Sequence, residues 1–147
     1  RIAALPHDCT KKLDLPQQLS LCRHYAIPLD EMERNYLKLL HSKTGAAVAR
    51  DRFGVSDEIY NAIFYHTTGK ADMTLLEKVI YLADYIEPSR FPGVEELRTA
   101  VHEDLDRGLC RALADSIVEL QGYGSPVHPN TQEALSYIQR EIGGTIE

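Results

Sequence analysis

The chain has 147 residues, 44% of them hydrophobic and 26% charged, with a formal net charge of −6. That is enough chain to bury one core, and the composition is that of an ordinary globular protein. The acidic balance argues against a general nucleic-acid binder, yet it leaves room for an anionic small substrate where bound cations dominate the local field.

No apolar run is long enough to cross a membrane and no signal peptide is visible. The three cysteines, Cys9, Cys22 and Cys110, have no CxxC spacing, which argues against a disulfide framework or a zinc ribbon. A reducing cytoplasm is the expected location.

In chain order, residues 1–5 read as the tail of a helix, with a kink or boundary at Pro6. Asp14 and Pro16 start a helix whose inward residues are Leu19, Cys22 and Ala26, closed by Pro28. Asp30 and Glu33 form a capping-box pattern. Met32, Tyr36, Leu37, Leu39 and Leu40 carry that helix on to His41. Ser42 or Thr44 is expected to cap a further helix bearing Ala46, Ala47, Val48 and Ala49, stopped by Gly54. Ser56 caps the next, which runs through Ile59, Ala62 and Ile63 to His66.

A polar turn with Gly69 and Lys70 follows. Thr74 and Glu77 form another capping box, so a helix starts at Leu75 and ends before Pro88. Its expected buried stripe is Leu76, Val79, Ile80, Ala83 and Ile86, with Asp84 beside it. Pro92–Gly93 opens a long helix in which Val94, Leu97, Val101, Leu105, Leu109, Leu113, Ile117 and Leu120 step with near-heptad spacing. Gly108 interrupts it, and Gly122 and Gly124 end it. Ser125 to Pro129 is a rigid loop. Asn130 and Glu133 cap a last helix with Ala134, Leu135 and Ile138, stopped by Gly143–Gly144. No period-two alternation, internal repeat or linker is evident, so the expectation is one all-α domain over residues 1–147.

The candidate ligands are His7, Asp8, His41, His66 and Asp84. A lone histidine is more often a surface or core residue, and a lone helix aspartate beside an apolar stripe more often pairs with a nearby cation. The joint pattern says more. His7 and Asp8 are adjacent, His41 and His66 both end apolar segments, and Asp84 borders a buried stripe. Imidazole and carboxylate together suit a first-row transition metal. Neighbouring helical residues point about a hundred degrees apart, so His7 and Asp8 can reach into one cleft and serve two ions, with Asp8 bridging. A bridging oxygen between two metals lowers the pKa of bound water and supplies hydroxide at neutral pH.

The His7-Asp8 pair, the later separated histidines and the downstream Leu82-Ala83-Asp84 resemble the HD-domain phosphohydrolase superfamily. His66-Thr67-Thr68-Gly69-Lys70, the run from Leu82 to Arg90, Leu40-His41 and Val127-His128-Pro129 are similar to the bacterial symmetrical diadenosine tetraphosphate hydrolases of HD type, the YqeK-like family. The similarity extends to about Tyr137. It implies a single HD-domain helical bundle, a centre of two iron ions with manganese as the alternative, and hydrolysis of diadenosine tetraphosphate to two ADP. By motif, His7, Asp8, His41, His66 and Asp84 are then ligands and Asp8 bridges. The family has one more histidine ligand on a helix upstream of His-Asp, and this chain begins six residues before His7. His24, His102 and His128 lack the motif context to replace it. The expectation is an N-terminally truncated domain with five of six ligands and one metal weakly held.

A polyphosphate needs cations beside the metals, because charge spreads over its non-bridging oxygens as water attacks. Lys11 follows Asp8 by one helical turn, Lys43 follows His41 by two residues, Lys70 sits in the turn after His66, and Arg90 lies six residues past Asp84. Each is otherwise a solvated surface cation. Thr67, Thr68 and Gly69 offer hydroxyl and backbone donors to phosphate, or serve only the turn. His128, held between Pro126 and Pro129, either donates a proton to the leaving ADP oxygen or packs its loop. Tyr65, Tyr81 and Tyr85 read as core or rim aromatics, and the cysteines as structural.

Two other classes compete. One is a different HD-type nucleotide phosphohydrolase or phosphodiesterase. The other is a non-catalytic nucleotide-binding or interaction module, suggested by the missing ligand and the long near-heptad helix. No nucleic acid or membrane partner is expected. A homodimer through an exposed apolar helix face is possible.

Overall fold

Pro6 sets how the chain enters the fold. A computed structural model describes residues 3–143, so Arg1, Ile2 and the expected stop at Gly144 lie outside the described residues. From Ala3 to Lys12 the backbone makes turns and no helix. Cys9 N–H donates to Pro6 O, Lys11 N–H to Asp8 O and Leu13 N–H to Thr10 O, each at 3.0–3.1 Å. Proline lacks an N–H and pushes its predecessor out of the α region, so the helix tail expected before Pro6 does not form in the described residues.

The described residues are all-helical, as expected, with eight helices in two compact units. The first unit, up to Thr67, holds α1 (Leu15–His24), α2 (Glu31–Asn35), α3 (Leu37–Phe53) and α4 (Asp57–Phe64). Asp14 caps α1 and Asp30 caps α2, each in a reciprocal capping box, with Gln17 and with Glu33. Cys22 is buried, but Ala26 is exposed at φ 53 and faces away from the core that was expected to take it.

Two expectations fail between α2 and α3. The segment does not run unbroken to His41, because Tyr36 takes an extended conformation and ends α2. No helix starts at Ser42 or Thr44. Both lie inside α3, where the Ser42 hydroxyl turns to Leu39 O of the preceding turn and the Thr44 hydroxyl turns to Gln18 Oε1. The buried alanines Ala46, Ala47 and Ala49 let α3 pack closely on α1 and α4. Gly54 stops α3 in the left-handed region, and Ser56 caps α4. That helix ends at Phe64, so His66 sits just beyond it.

The second unit, from Thr68, holds α5 (Leu75–Tyr85), α6 (Val94–Glu103), α7 (Leu105–Gly122) and α8 (Pro129–Glu141). The Thr74–Glu77 box starts α5 as expected. Its buried face is turned, however. Ile80 and Ile86 are buried, while Val79 and Ala83 face solvent and Tyr81, Leu82 and Tyr85 take their places. The aromatic rings carry more apolar area than alanine or valine and win the interior. The Tyr81 hydroxyl is bonded to Ser116.

The long near-heptad helix is two helices. Asp104 is extended and accepts from the N–H groups of Asp106 and Arg107, so it caps α7. The two helices fold against each other. Gly108 is the contact and not an interruption: a Cβ there would lie 2.6 Å from the Val101 Cα. The last helix also starts two residues early, capped by His128 and not by Asn130, with His128 Nδ1 accepting from Asn130 N–H. Pro129 occupies the first helical position, where no N–H is needed. Among the described residues no helix is long and apolar enough to cross a membrane.

Gly108→Ala is therefore expected to be strongly destabilising, since backbone atoms of α6 cannot yield as a side chain can. A loss of about 3 kcal/mol, the upper range for overpacking, should appear in urea unfolding. A loss under about 0.5 kcal/mol would show that α6 and α7 do not meet at this point.

Candidate metal centre

In the first unit, four of the five expected ligands converge. Asp8 lies in the turn before α1, His41 in the second turn of α3, and His66 just after α4. Asp8 Oδ1 is 3.4 Å from His41 Nε2 and 3.7 Å from His66 Nε2. Asp8 Oδ2 is 3.5 Å from His7 Nε2 and 2.8 Å from Lys11 Nζ. His41 Nε2 and His66 Nε2 are 3.2 Å apart. Both the His7 and the His41 ring meet the His66 ring edge to face.

A bond reaching three residues back along the backbone orients every ring alike. His7 Nδ1 lies 2.6 Å from Ala4 O and His66 Nδ1 lies 2.6 Å from Ile63 O. His41 bonds the backbone of Lys38 with the same three-residue reach. A carbonyl only accepts, so these Nδ1 atoms carry the protons and Nε2 presents the lone pair. This is the arrangement that fixes ligating histidines in metal sites.

Electrostatics favour the same state. The facing His66 ring, then Lys11 and His7, hold the Asp8 carboxyl well below the usual carboxylate range despite its burial. Burial, followed by repulsion from His66, lowers His41 to about 4 against the pull of Asp8. At neutral pH the carboxylate is charged and the His41 imidazole neutral, as metal ligation requires. Two nitrogen lone pairs at 3.2 Å repel in the absence of a cation. Asp8 Oδ1 is buried with no hydrogen-bond partner, and such an atom calls for an ion. Ligand atoms about 2.1 Å from one ion stand roughly 3 Å apart, close to the spacings seen. One ligand atom from each of His7, Asp8 and His66 lies within 4.8 Å of the others. The donor set fits a transition metal, and the two oxygens of Asp8 face different imidazoles.

The two lysines of the first unit are already engaged. Lys11 is hydrogen-bonded to Asp8, and Lys43 pairs with Glu33 and lies over the Phe64 ring. The Thr67 hydroxyl, next to His66, is buried without a partner.

In the second unit, Asp84 is half-buried at the last turn of α5. The Thr68 hydroxyl donates to Gly69 O, and its carbonyl accepts from Thr131. Gly69 has φ 69, Lys70 reaches Asp72 O and Glu77, and Arg90 is exposed. His128 is buried as the cap of α8.

Three buried residues carried no sequence signal. Thr10, Gln18 and Thr44 bond one another and the carbonyl of His41. Their separations of up to 34 residues leave no local motif to find.

The HD domain family matches residues 1–89. The chain is 41% identical over 132 residues to a symmetrical bis(5'-nucleosyl)-tetraphosphatase of Bacillus subtilis (strain 168), covering 88% of this chain and 70% of that one. It is 33% identical over 140 residues to the protein of the same description from Staphylococcus aureus, covering 92% and 72%. Its fold matches a crystal structure from Clostridium acetobutylicum, described as a predicted HD superfamily hydrolase involved in NAD metabolism. The TM-score is 0.90 at 40% identity, with 96% of this chain and 76% of that one covered.

The metal-free protein should lose stability with acid in a defined window. His41 binds its proton near pH 4 when folded and near its ordinary 6.5 when unfolded, so its contribution is complete above about 6.5 and lost as pH falls towards 4. Asp8, also lowered, adds to the loss below its ordinary range. Urea midpoints in chelator should fall between about pH 6.5 and about pH 4.5, and His41→Asn should flatten that slope. A level wild-type midpoint across the window would contradict a neutral buried imidazole.

Proposed function

The chain belongs to the HD domain family, among the symmetrical bis(5'-nucleosyl)-tetraphosphatases, and on that premise we propose that it hydrolyses diadenosine tetraphosphate to two ADP. The reaction is assigned to a centre of two transition-metal ions, iron or manganese. The observation that supports it most is the buried Asp8 Oδ1, without a hydrogen-bond partner, facing two imidazole nitrogens 3.2 Å apart.

In this reading His7, Asp8, His41 and His66 hold the metals. Asp8 would be the residue that serves both, since Oδ1 faces His41 and His66 while Oδ2 faces His7. The bound metals supply an acidified water and a positive field for phosphate. Water attacks one of the two central phosphorus atoms, and the bond from that phosphorus to the oxygen bridging the central pair breaks. Water gives up a proton and the departing ADP oxygen gains one.

Lys11, held at Asp8, places an ammonium where charge gathers on the phosphate oxygens. Lys43 and the partnerless Thr67 hydroxyl are assigned to the polyphosphate in the first unit. In the second unit, Thr68, Gly69, Lys70 and Arg90 are assigned to phosphate, and Asp84 to metal, on sequence context. His128 accepts at Nδ1, so its neutral ring carries the proton on Nε2, where it can donate a hydrogen bond to a phosphate oxygen; proton transfer to the departing ADP would require the doubly protonated ring. A cytoplasmic setting and a homodimer belong to the same proposal.

The test is to incubate the chain with manganese or ferrous iron and diadenosine tetraphosphate, with NAD as the competing substrate suggested by the Clostridium relative. ADP alone is expected. ATP plus AMP, no product, or faster turnover of NAD would overturn the assignment. Asp8→Ala should reduce turnover to background, because a bridging carboxylate has no stand-in, and Asp84→Ala should do nearly as much. Most of the rate surviving in either variant would show that residue to be misassigned.

A further inference from the structure

We propose that Thr10, Gln18 and Thr44, with Gly45, are positioning residues that set how tightly the first unit holds its metal. The inference rests on the metal assignment above but not on the identity of the substrate. All three polar side chains are buried, with Gln18 and Thr44 fully so. Gln18 Nε2 donates to Thr10 O at 2.5 Å, and Thr44 Oγ1 donates to Gln18 Oε1 at 2.5 Å. Thr10 Oγ1 lies 2.8 Å from Thr44 Oγ1 and donates to His41 O at 2.9 Å.

One proton assignment satisfies the ring. Thr10 shares its hydroxyl hydrogen between Thr44 Oγ1 and His41 O, Thr44 gives its own to Gln18, and Gln18 returns one to the Thr10 backbone. Donors that run one way around a buried ring strengthen each other.

The placement of this ring matters more than its strength. Thr10 is two residues after Asp8, and His41 O belongs to a ligand's own backbone. The ring thus ties the turn carrying His7 and Asp8 directly to the α3 position that carries His41. Gly45 completes the fit. A Cβ there would lie 3.1 Å from His7 O and 3.5 Å from the Thr10 hydroxyl, so any larger residue would press on the turn where it meets α3. Ligand positions must be right to about 0.2 Å for a metal, and an outer partner that fixes a ligand is typically worth about 10- to 100-fold in metal affinity.

The experiment measures Mn²⁺ affinity by titrating metal-stripped protein, with bound metal checked by elemental analysis and folding by circular dichroism. Thr44→Val keeps the shape and removes the hydroxyl, so affinity should fall at least about tenfold. Thr44→Ser keeps the hydroxyl and should stay within about twofold of wild type. Gly45→Ala pushes on the turn from the α3 side and should weaken affinity while the protein remains helical, which keeps the test open if Thr44→Val does not fold. A folded Thr44→Val or Gly45→Ala with wild-type affinity overturns the proposal, as does a Thr44→Ser that loses as much as Thr44→Val. Wild-type protein that binds no Mn²⁺ also overturns it. If wild type binds metal with the expected variant pattern yet leaves diadenosine tetraphosphate intact, the positioning role stands and the substrate assignment falls.

Discussion

Two imidazole nitrogens 3.2 Å apart, beside a buried carboxylate oxygen with no hydrogen-bond partner, form an arrangement that repels itself when empty of positive charge. A proton on His41 does not supply that charge at neutral pH, since burial pushes its imidazole down to about 4. Each Nδ1 proton is committed to a carbonyl three residues back. The first unit is organised to keep three imidazoles and a carboxylate together, and a metal ion held there would relieve their mutual repulsion.

The means are ordinary. A turn of i→i−3 bonds carries His7 and Asp8, an unbroken α3 carries His41, and the chain leaving α4 carries His66. The Ala-rich face of α3 and Gly45 allow the close approaches. None of these requires a special sequence, only that three segments far apart along the chain be brought to one place.

That explains which features were legible in the sequence. Caps are local, and Asp14, Asp30, Ser56 and Thr74 were read correctly because a cap and its N–H partner are three residues apart. The family motif pointed to the candidate ligands because chemistry fixes residue type, and the first unit brings four of the five together. Breaks set by tertiary contact were not legible. Tyr36 ends α2 and Asp104 divides α6 from α7 without glycine or proline at either position. Gly108 carries a glycine's ordinary sequence meaning of interruption, whereas its use is to admit the Val101 backbone of the adjacent helix. The buried face of α5 was misplaced because periodicity counts apolar positions equally, while packing rewards the larger rings of Tyr81 and Tyr85.

The proposed phosphate-binding cations fit a chain of net charge −6. Lys11 is held by Asp8, Lys43 by Glu33 and Lys70 by Glu77. An ammonium held by a carboxylate keeps its place at little further loss of side-chain entropy, yet its charge is partly neutralised until a stronger anion arrives. A polyphosphate then gains less from each lysine than from a bare one, and more of its attraction must come from the metals. On the proposed reading, metal affinity, and with it the Thr10–Gln18–Thr44 ring, would be the property through which substrate binding is set.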